Sequence, residues 1–76
     1  MAVATYTNIA QQRVLLTLKV LTEARSRGAC PGEIAARVGT IRSNTTRDLA
    51  NLRTAGFAMT TQGRWYTSSL GKICGR

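Results

Sequence analysis

Apolar residues recur at helical spacing through the first third of the chain. Val14, Leu18 and Leu21 fall on one face of a helix predicted over about residues 8–27. The first residue of that range is an asparagine, which can cap the helix, and Gly28 marks its end. The pattern therefore predicts a long first helix that turns this face towards the core.

A second apolar group lies about a third of a turn further round the same helix and contains Ile9, Leu16 and Val20. Two interpretations are open. The helix is sunk deeply into its own core, or Leu16 and Val20 meet a second copy of the helix in a homodimer. Ile9, Leu16 and Val20 are accordingly the candidate dimer interface.

Two shorter apolar patterns follow and meet at a glycine. The second helix begins near Pro31, a residue favoured in the first turn, and ends at Gly39, where the left-handed backbone suits glycine. The third helix is predicted over residues 43–55, with Ser43 as its cap. The inward residues would be Ile34, Ala35, Val38, Thr45, Leu49 and Leu52. Two helices joined in this way predict a helix-turn-helix.

The outer face of the third helix is polar and carries no acid. Its residues are Arg42, Ser43, Asn44, Thr46, Arg47, Ala50 and Asn51. Arginine can bond guanine, asparagine can bond adenine, and a threonine methyl group can contact thymine. The simpler interpretation is a solvated helix with capping side chains, but such a face normally carries Glu or Lys for helix propensity.

The last pattern predicts a β-hairpin. Alternating residues 57–61 lead into a turn at Gln62-Gly63, and residues 64–67 lead back, with glycine providing a positive φ. The core-facing residues would be Phe57, Met59 and Trp65. The residues expected to lie free at the tip, within reach of a groove or a phosphate, are Gln62 and Arg64.

Composition and charge narrow the functional class. The chain has 76 residues and a formal net charge of +8, which fits one domain, residues 1–76, with flexible ends at 1–7 and 74–76. Four basic residues oppose two acids in residues 1–33, whereas seven oppose one in residues 34–76. The half with the helix-turn-helix therefore has the field that attracts a polyanion.

Several classes of protein are disfavoured. There is no histidine and the three acids are scattered, so we expect no enzymatic activity, no metal site and no cofactor. No apolar run approaches the roughly 18 residues of a membrane span, and no secretory signal follows Met1. We expect a cytoplasmic protein without a membrane partner, which joins the nucleoid when bound to DNA.

The order of three helices and a two-stranded wing resembles the winged helix-turn-helix domain of bacterial transcription regulators, most closely that of the IclR family. The segments that carry the resemblance are RVLLTLKVL, EIAARVG, LRTAGF and the wing QGRW. The wing is also similar to that of MarR regulators, where an aromatic strand precedes Thr-x-x-x-Gly, as in Thr67 to Gly71. The expected fold is mainly α with a small β-hairpin.

The resemblance implies sequence-specific binding of double-stranded DNA, with helix 43–55 in the major groove and wing 61–64 on adjacent backbone or minor groove. The implied DNA-binding residues are Arg42, Ser43, Asn44, Thr46, Arg47, Asn51, Gln62 and Arg64. We expect either a free-standing small transcriptional regulator of phage or bacterial type or an isolated domain of a longer protein, in both cases without a small-molecule effector on this chain. The alternative is a winged-helix module that docks a protein partner.

Three residues depart from the family pattern. Thr45, Asp48 and Thr67 stand where apolar residues are usual, which weakens the expected core. We expect Asp48 to pair with a nearby arginine of its own helix region, Arg42, Arg47 or Arg53.

Overall fold

The computed structural model describes residues 8–68, which form three helices followed by an antiparallel hairpin. The elements are α1 (Ile9–Ala24), a 3-10 turn (Arg25–Arg27), α2 (Pro31–Val38), α3 (Arg42–Thr54), β1 (Ala58–Thr61) and β2 (Arg64–Thr67). The prediction of a mainly α fold with a small β wing is confirmed, and the shape is compatible with a winged helix. The expected flexible ends, 1–7 and 74–76, lie outside the described residues.

Helix α1 begins where the sequence predicts and ends early. The Asn8 side chain accepts a hydrogen bond of 3.0 Å from the Gln11 amide, as an N-cap does. The expected end near Arg27 is wrong, because the backbone of Arg25 leaves the helical region at φ 54° and ψ −133°. The remaining residues up to Gly28 form the 3-10 turn.

The buried side of α1 is wider than the predicted stripe. Thr17, Val20, Leu21 and Ala24 are buried, while the predicted core residues Val14 and Leu18 are half-buried at the margin. Helix α1 packs against α2, α3 and β2, so more than one of its faces is covered. The expected place of Val20 in a dimer interface is therefore corrected: the residue is 6% exposed and belongs to this chain's own core.

The turn between α2 and α3 has the predicted geometry at its glycine. Gly39 is left-handed (φ 84°, ψ 38°), and its amide donates to the Ala35 carbonyl at 2.9 Å. Helix α3 starts one residue earlier than expected. Extended Ile41 is the N-cap residue, and its carbonyl accepts from the amides of Asn44 and Thr45. Ser43 is thus the second residue of the helix and not its cap.

The hairpin has the predicted turn but the opposite inward face on its first strand. Phe57 and Met59 are 49% and 44% exposed, whereas Ala58 is 4% exposed and belongs to the core. Alternation shows which residues share a face but not which face is buried, and in β1 the face with the larger side chains is the exposed one. Trp65 does pack against the core, and it lies opposite Thr60 in the register.

The tip is a two-residue turn in which Gln62 (φ 52°) and Gly63 (φ 79°) both have positive φ. That combination is the type I′ geometry, whose twist matches the twist of the two strands. The turn carries Gln62 into solvent. A third segment extends the sheet, because Ala29 and Trp65 exchange two backbone hydrogen bonds of 2.9 and 2.8 Å.

One apolar core joins the helices to the wing. Its buried members are Val20, Leu21, Ala24, Ala29, Ile34, Leu49, Leu52 and Ala58. Leu49 and Leu52 are the contribution of α3, as predicted, so the opposite side of α3 faces outward. Within residues 8–68 no helix combines the length and the apolar character that crossing a bilayer requires.

Candidate nucleic-acid interface

The residues predicted to contact DNA from α3 lie on its exposed side. Exposed members are Arg42, Ser43, Thr46, Arg47 and Asn51, and Asn44 is half-buried. Thr45, Leu49 and Leu52 are buried on the opposite side. The fold therefore presents the predicted set together on one surface of a single helix.

Three of these side chains are ordered by hydrogen bonds within the protein. Asn44 Nδ2 donates to Thr40 Oγ1 at 3.0 Å, and Asn51 Nδ2 donates to the Arg47 carbonyl at 3.1 Å. Thr46 Oγ1 donates to the Arg42 carbonyl at 3.1 Å. Each asparagine keeps its amide oxygen and a second N–H, the pair of groups that a bidentate contact with adenine requires.

Asp48 is bound by a residue of α1 and not by an arginine near it in sequence. Its carboxylate is 2% exposed and accepts from Arg13 Nε at 2.6 Å and from Arg13 Nη2 at 3.0 Å. The expected pairing with Arg42, Arg47 or Arg53 is therefore wrong. The hydrogen bond to Asp48 raises the pKa of Arg13 above its ordinary value, so the guanidinium stays charged.

Every acidic side chain of the protein is in an ion pair with an arginine of another element. Besides Asp48 with Arg13, Glu23 lies 3.0 Å from Arg37, and Glu33 lies 3.7 Å from Arg64. The basic residues in the described part of the chain that have no acidic partner there are Lys19, Arg25, Arg27, Arg42, Arg47 and Arg53. Half of these lie on α3.

Arg53 belongs to the exposed basic set of α3 and was missed by the sequence prediction. The sequence suggests Arg53 only as a partner for Asp48, and in the structure that partner is Arg13. Ile41 was also missed: it precedes α3 and is exposed, although it is a large apolar residue. The signal for Arg53 was a basic residue in the last turn of α3, and the signal for Ile41 was a large apolar residue directly before the first turn.

Of the two predicted wing residues, one is exposed at the tip and the other is hydrogen-bonded to the backbone of the protein. Gln62 is exposed at the tip, as expected. Arg64 is not free, because its Nε donates to the Arg27 carbonyl at 2.9 Å and its Nη2 donates to the Gly28 carbonyl at 3.1 Å. Arg64 thus ties β2 to the 3-10 turn, and this contact places the backbone of Arg27, whose side chain is exposed, beside the wing.

The candidate dimer residues adjoin this surface. Ile9 is 84% exposed, and with Leu16 it lines a groove of about 420 Å³ between α1 and the turn that leads into α3. Val38, Thr40 and Asn44 form the other side of the groove. An apolar edge therefore runs directly beside the start of the polar face.

No protein-family model matches the sequence, and no curated protein shows significant similarity to it. Within residues 8–68, no three cysteine, aspartate or glutamate side chains are grouped so that they could hold a metal ion. The chemistry that the exposed side of α3 offers is hydrogen bonding and positive charge.

Proposed function

We propose that this protein binds double-stranded DNA in a sequence-specific manner and acts as a small transcriptional regulator without enzymatic activity. Helix α3 would enter the major groove, and the hairpin tip at residues 61–64 would contact the adjacent backbone or minor groove. The observation that carries the proposal is the exposed side of α3, which combines arginines lacking acidic partners in the described structure with ordered asparagines.

The charge arrangement supports duplex DNA as the ligand. Asp48, the one acid on α3, is neutralised from within by Arg13, so the helix presents only positive charge to an incoming duplex. No side chain caps the first amides of α3 and its first turn holds no acid, which favours a phosphate at that end. The resemblance to IclR and MarR wings supports the same proposal.

Selection from a random duplex library at fixed salt concentration tests the proposal. We expect one enriched sequence motif, bound at least about a thousandfold more tightly than random duplex at the same salt concentration. Recovery of no motif, with affinity equal to that of another protein of similar net charge, would contradict sequence-specific binding. It would favour the alternative, a winged-helix module that docks a protein partner.

We further propose that two copies assemble through α1. Ile9 and Leu16 remain exposed on a groove of mixed polar and apolar lining, and their burial in a second copy would remove that apolar surface from water. Light scattering over a range of concentrations measures the assembly. A mass that stays monomeric at high concentration, or that Leu16→Ser leaves unchanged, would contradict this interface.

A further inference from the structure

A partly buried ion pair joins the first helix to the candidate recognition helix. Two N–H groups of Arg13 on α1 hold both carboxylate oxygens of Asp48 on α3, at 2.6 and 3.0 Å. The two residues are 35 positions apart in the chain. The core contacts of α3 come mainly from Leu49 and Leu52, and among the described residues this pair is the side-chain hydrogen-bonded contact between α3 and α1.

Asp48 is buried, and it adjoins two of the candidate base-contacting residues, which lie nearer the exposed side of α3. Asn44 is four residues before it and Asn51 three residues after it, spacings that make both of them neighbours of Asp48 on the helix surface. Arg47 is its immediate neighbour. Any rotation of α3 about its axis would therefore move these side chains together.

The size of that movement matters for recognition. A helix with its side chains is about 10–12 Å across, so a rotation of about 20° moves a side-chain end by about 2 Å. Binding constellations have to be held to within about 0.5 Å. Apolar contacts such as those of Leu49 are non-directional, whereas a bidentate guanidinium–carboxylate pair fixes orientation.

We infer that Arg13 is a positioning residue for DNA recognition: through Asp48 it fixes the rotation of α3, and thereby sets how selectively the protein reads its site. The inference rests on the proposed function. Arg13 itself need not contact DNA, because both guanidinium N–H groups described above are directed at Asp48.

The test replaces the pair without changing the net charge. Arg13→Met combined with Asp48→Leu removes one charge of each sign and leaves apolar side chains of similar size, a replacement that proteins often tolerate without loss of stability. Glu23→Gln combined with Arg37→Gln is the matched control, since it removes the other α1 ion pair, which is half-exposed and does not involve α3.

The first readout is the affinity for the selected duplex divided by the affinity for random duplex. We expect this ratio to fall about tenfold or more in the Arg13/Asp48 double variant, while affinity for random duplex changes less than about twofold. The control should keep the wild-type ratio. A wild-type ratio in the folded Arg13/Asp48 double variant would overturn the inference.

The second readout needs no DNA. Residual dipolar couplings of the free protein report the orientation of α3 relative to α1, and we expect them to change in the double variant and not in the control. Arg13→Lys keeps the charge but offers one compact donor group in place of the fork, so it should shift both readouts in the same direction by less. It also serves as the test if the double variant does not fold.

The two proposals fail in different ways. A wild-type protein that prefers no duplex sequence would refute sequence-specific binding. The dipolar couplings would still test whether Arg13 fixes the orientation of α3 relative to α1. Unchanged couplings for α3 in both Arg13 variants would overturn that role whatever the wild-type protein binds.

Discussion

Thr45 shows that burial can be predicted from the sequence when hydrogen-bond partners cannot. The sequence predicts that this residue faces inward, and it is fully buried. What the sequence does not reveal is that its hydroxyl group finds no hydrogen-bond partner among the described residues. Partners depend on how neighbouring helices pack, which is also why Arg13, 35 positions away, was not predicted as the partner of Asp48.

Replacing Thr45 with valine should stabilise the protein. A buried hydroxyl without a partner costs about 1–3 kcal/mol, and valine has nearly the same shape without that cost. We expect Thr45→Val to raise the free energy of unfolding by about 1 kcal/mol, measured by urea denaturation. Thr17→Val is the matched control, because Thr17 is equally buried but its hydroxyl donates to the Arg13 carbonyl at 2.9 Å. Equal changes in the two variants would contradict this explanation.

Arg47 is the exposed arginine of α3 nearest the centre of the candidate surface. If it bonds a guanine, Arg47→Ala should lose about 1–3 kcal/mol of discrimination at one base pair of the selected site. The measurement is the affinity for a set of duplexes with single substitutions. Lys19→Ala removes the same charge from α1, outside the candidate surface, and should leave the discrimination at every base pair unchanged. Identical profiles for the two variants would remove Arg47 from the base-contacting set.

At the scale of elements, the sequence predicts all three helices, the glycine turn and the hairpin, because periodicity and turn residues are local signals. It misses the packing that local signals do not encode. The clearest case is β1, whose inward residue is Ala58 and not Met59. The same limit hides the pairing of Ala29 with Trp65, since one residue has no periodicity.

The junction between the 3-10 turn and the wing depends on Gly28. Its backbone (φ 69°, ψ −175°) is one that essentially only glycine adopts, and an added Cβ would lie 2.7 Å from Tyr66 Cζ. Gly28→Ala should therefore lower the free energy of unfolding by about 2 kcal/mol or more, measured by thermal denaturation. Gly32→Ala is the control: it meets nothing within 4 Å and should be neutral or slightly stabilising.

The docking of the wing should depend on Arg64 more than on Arg27. Arg64 donates two hydrogen bonds to backbone carbonyls, whereas the Arg27 side chain is exposed and only its carbonyl is used. We expect Arg64→Ala to lower the free energy of unfolding by about 1 kcal/mol, a modest value because the side chain is partly exposed. Arg27→Ala should change it by less than about 0.5 kcal/mol. A reversed order would show that Arg64 does not hold the wing.

For the whole molecule, the sequence predicts the excess of positive charge but not its distribution over the surface. Net charge counts Asp48 against the arginines of α3, yet the structure pairs it with Arg13 on α1. Glu23 and Glu33 are likewise used within the protein. The basic residues left without acidic partners, rather than the total charge, should therefore determine how the protein responds to salt.

The number of these basic residues predicts how steeply the affinity for duplex DNA should fall with salt concentration. Four of these arginines lie on α3 or beside the wing: Arg27, Arg42, Arg47 and Arg53. If each neutralises a phosphate, the logarithm of affinity should fall with the logarithm of salt concentration at a slope of about −3.6. That slope corresponds to about a 150-fold loss of affinity between 50 and 200 mM salt.

Fluorescence anisotropy with random duplex measures this slope, and single variants apportion it. Each of the four arginine-to-alanine changes should make the slope shallower by about 0.9, while Lys19→Ala should leave it unchanged because Lys19 lies on α1, outside the candidate surface. A slope near −1 in the wild-type protein would mean that few of these side chains contact phosphates. A slope that changes as much for Lys19 as for Arg42 would mean that the protein binds DNA through its overall charge, without using α3 as a defined surface.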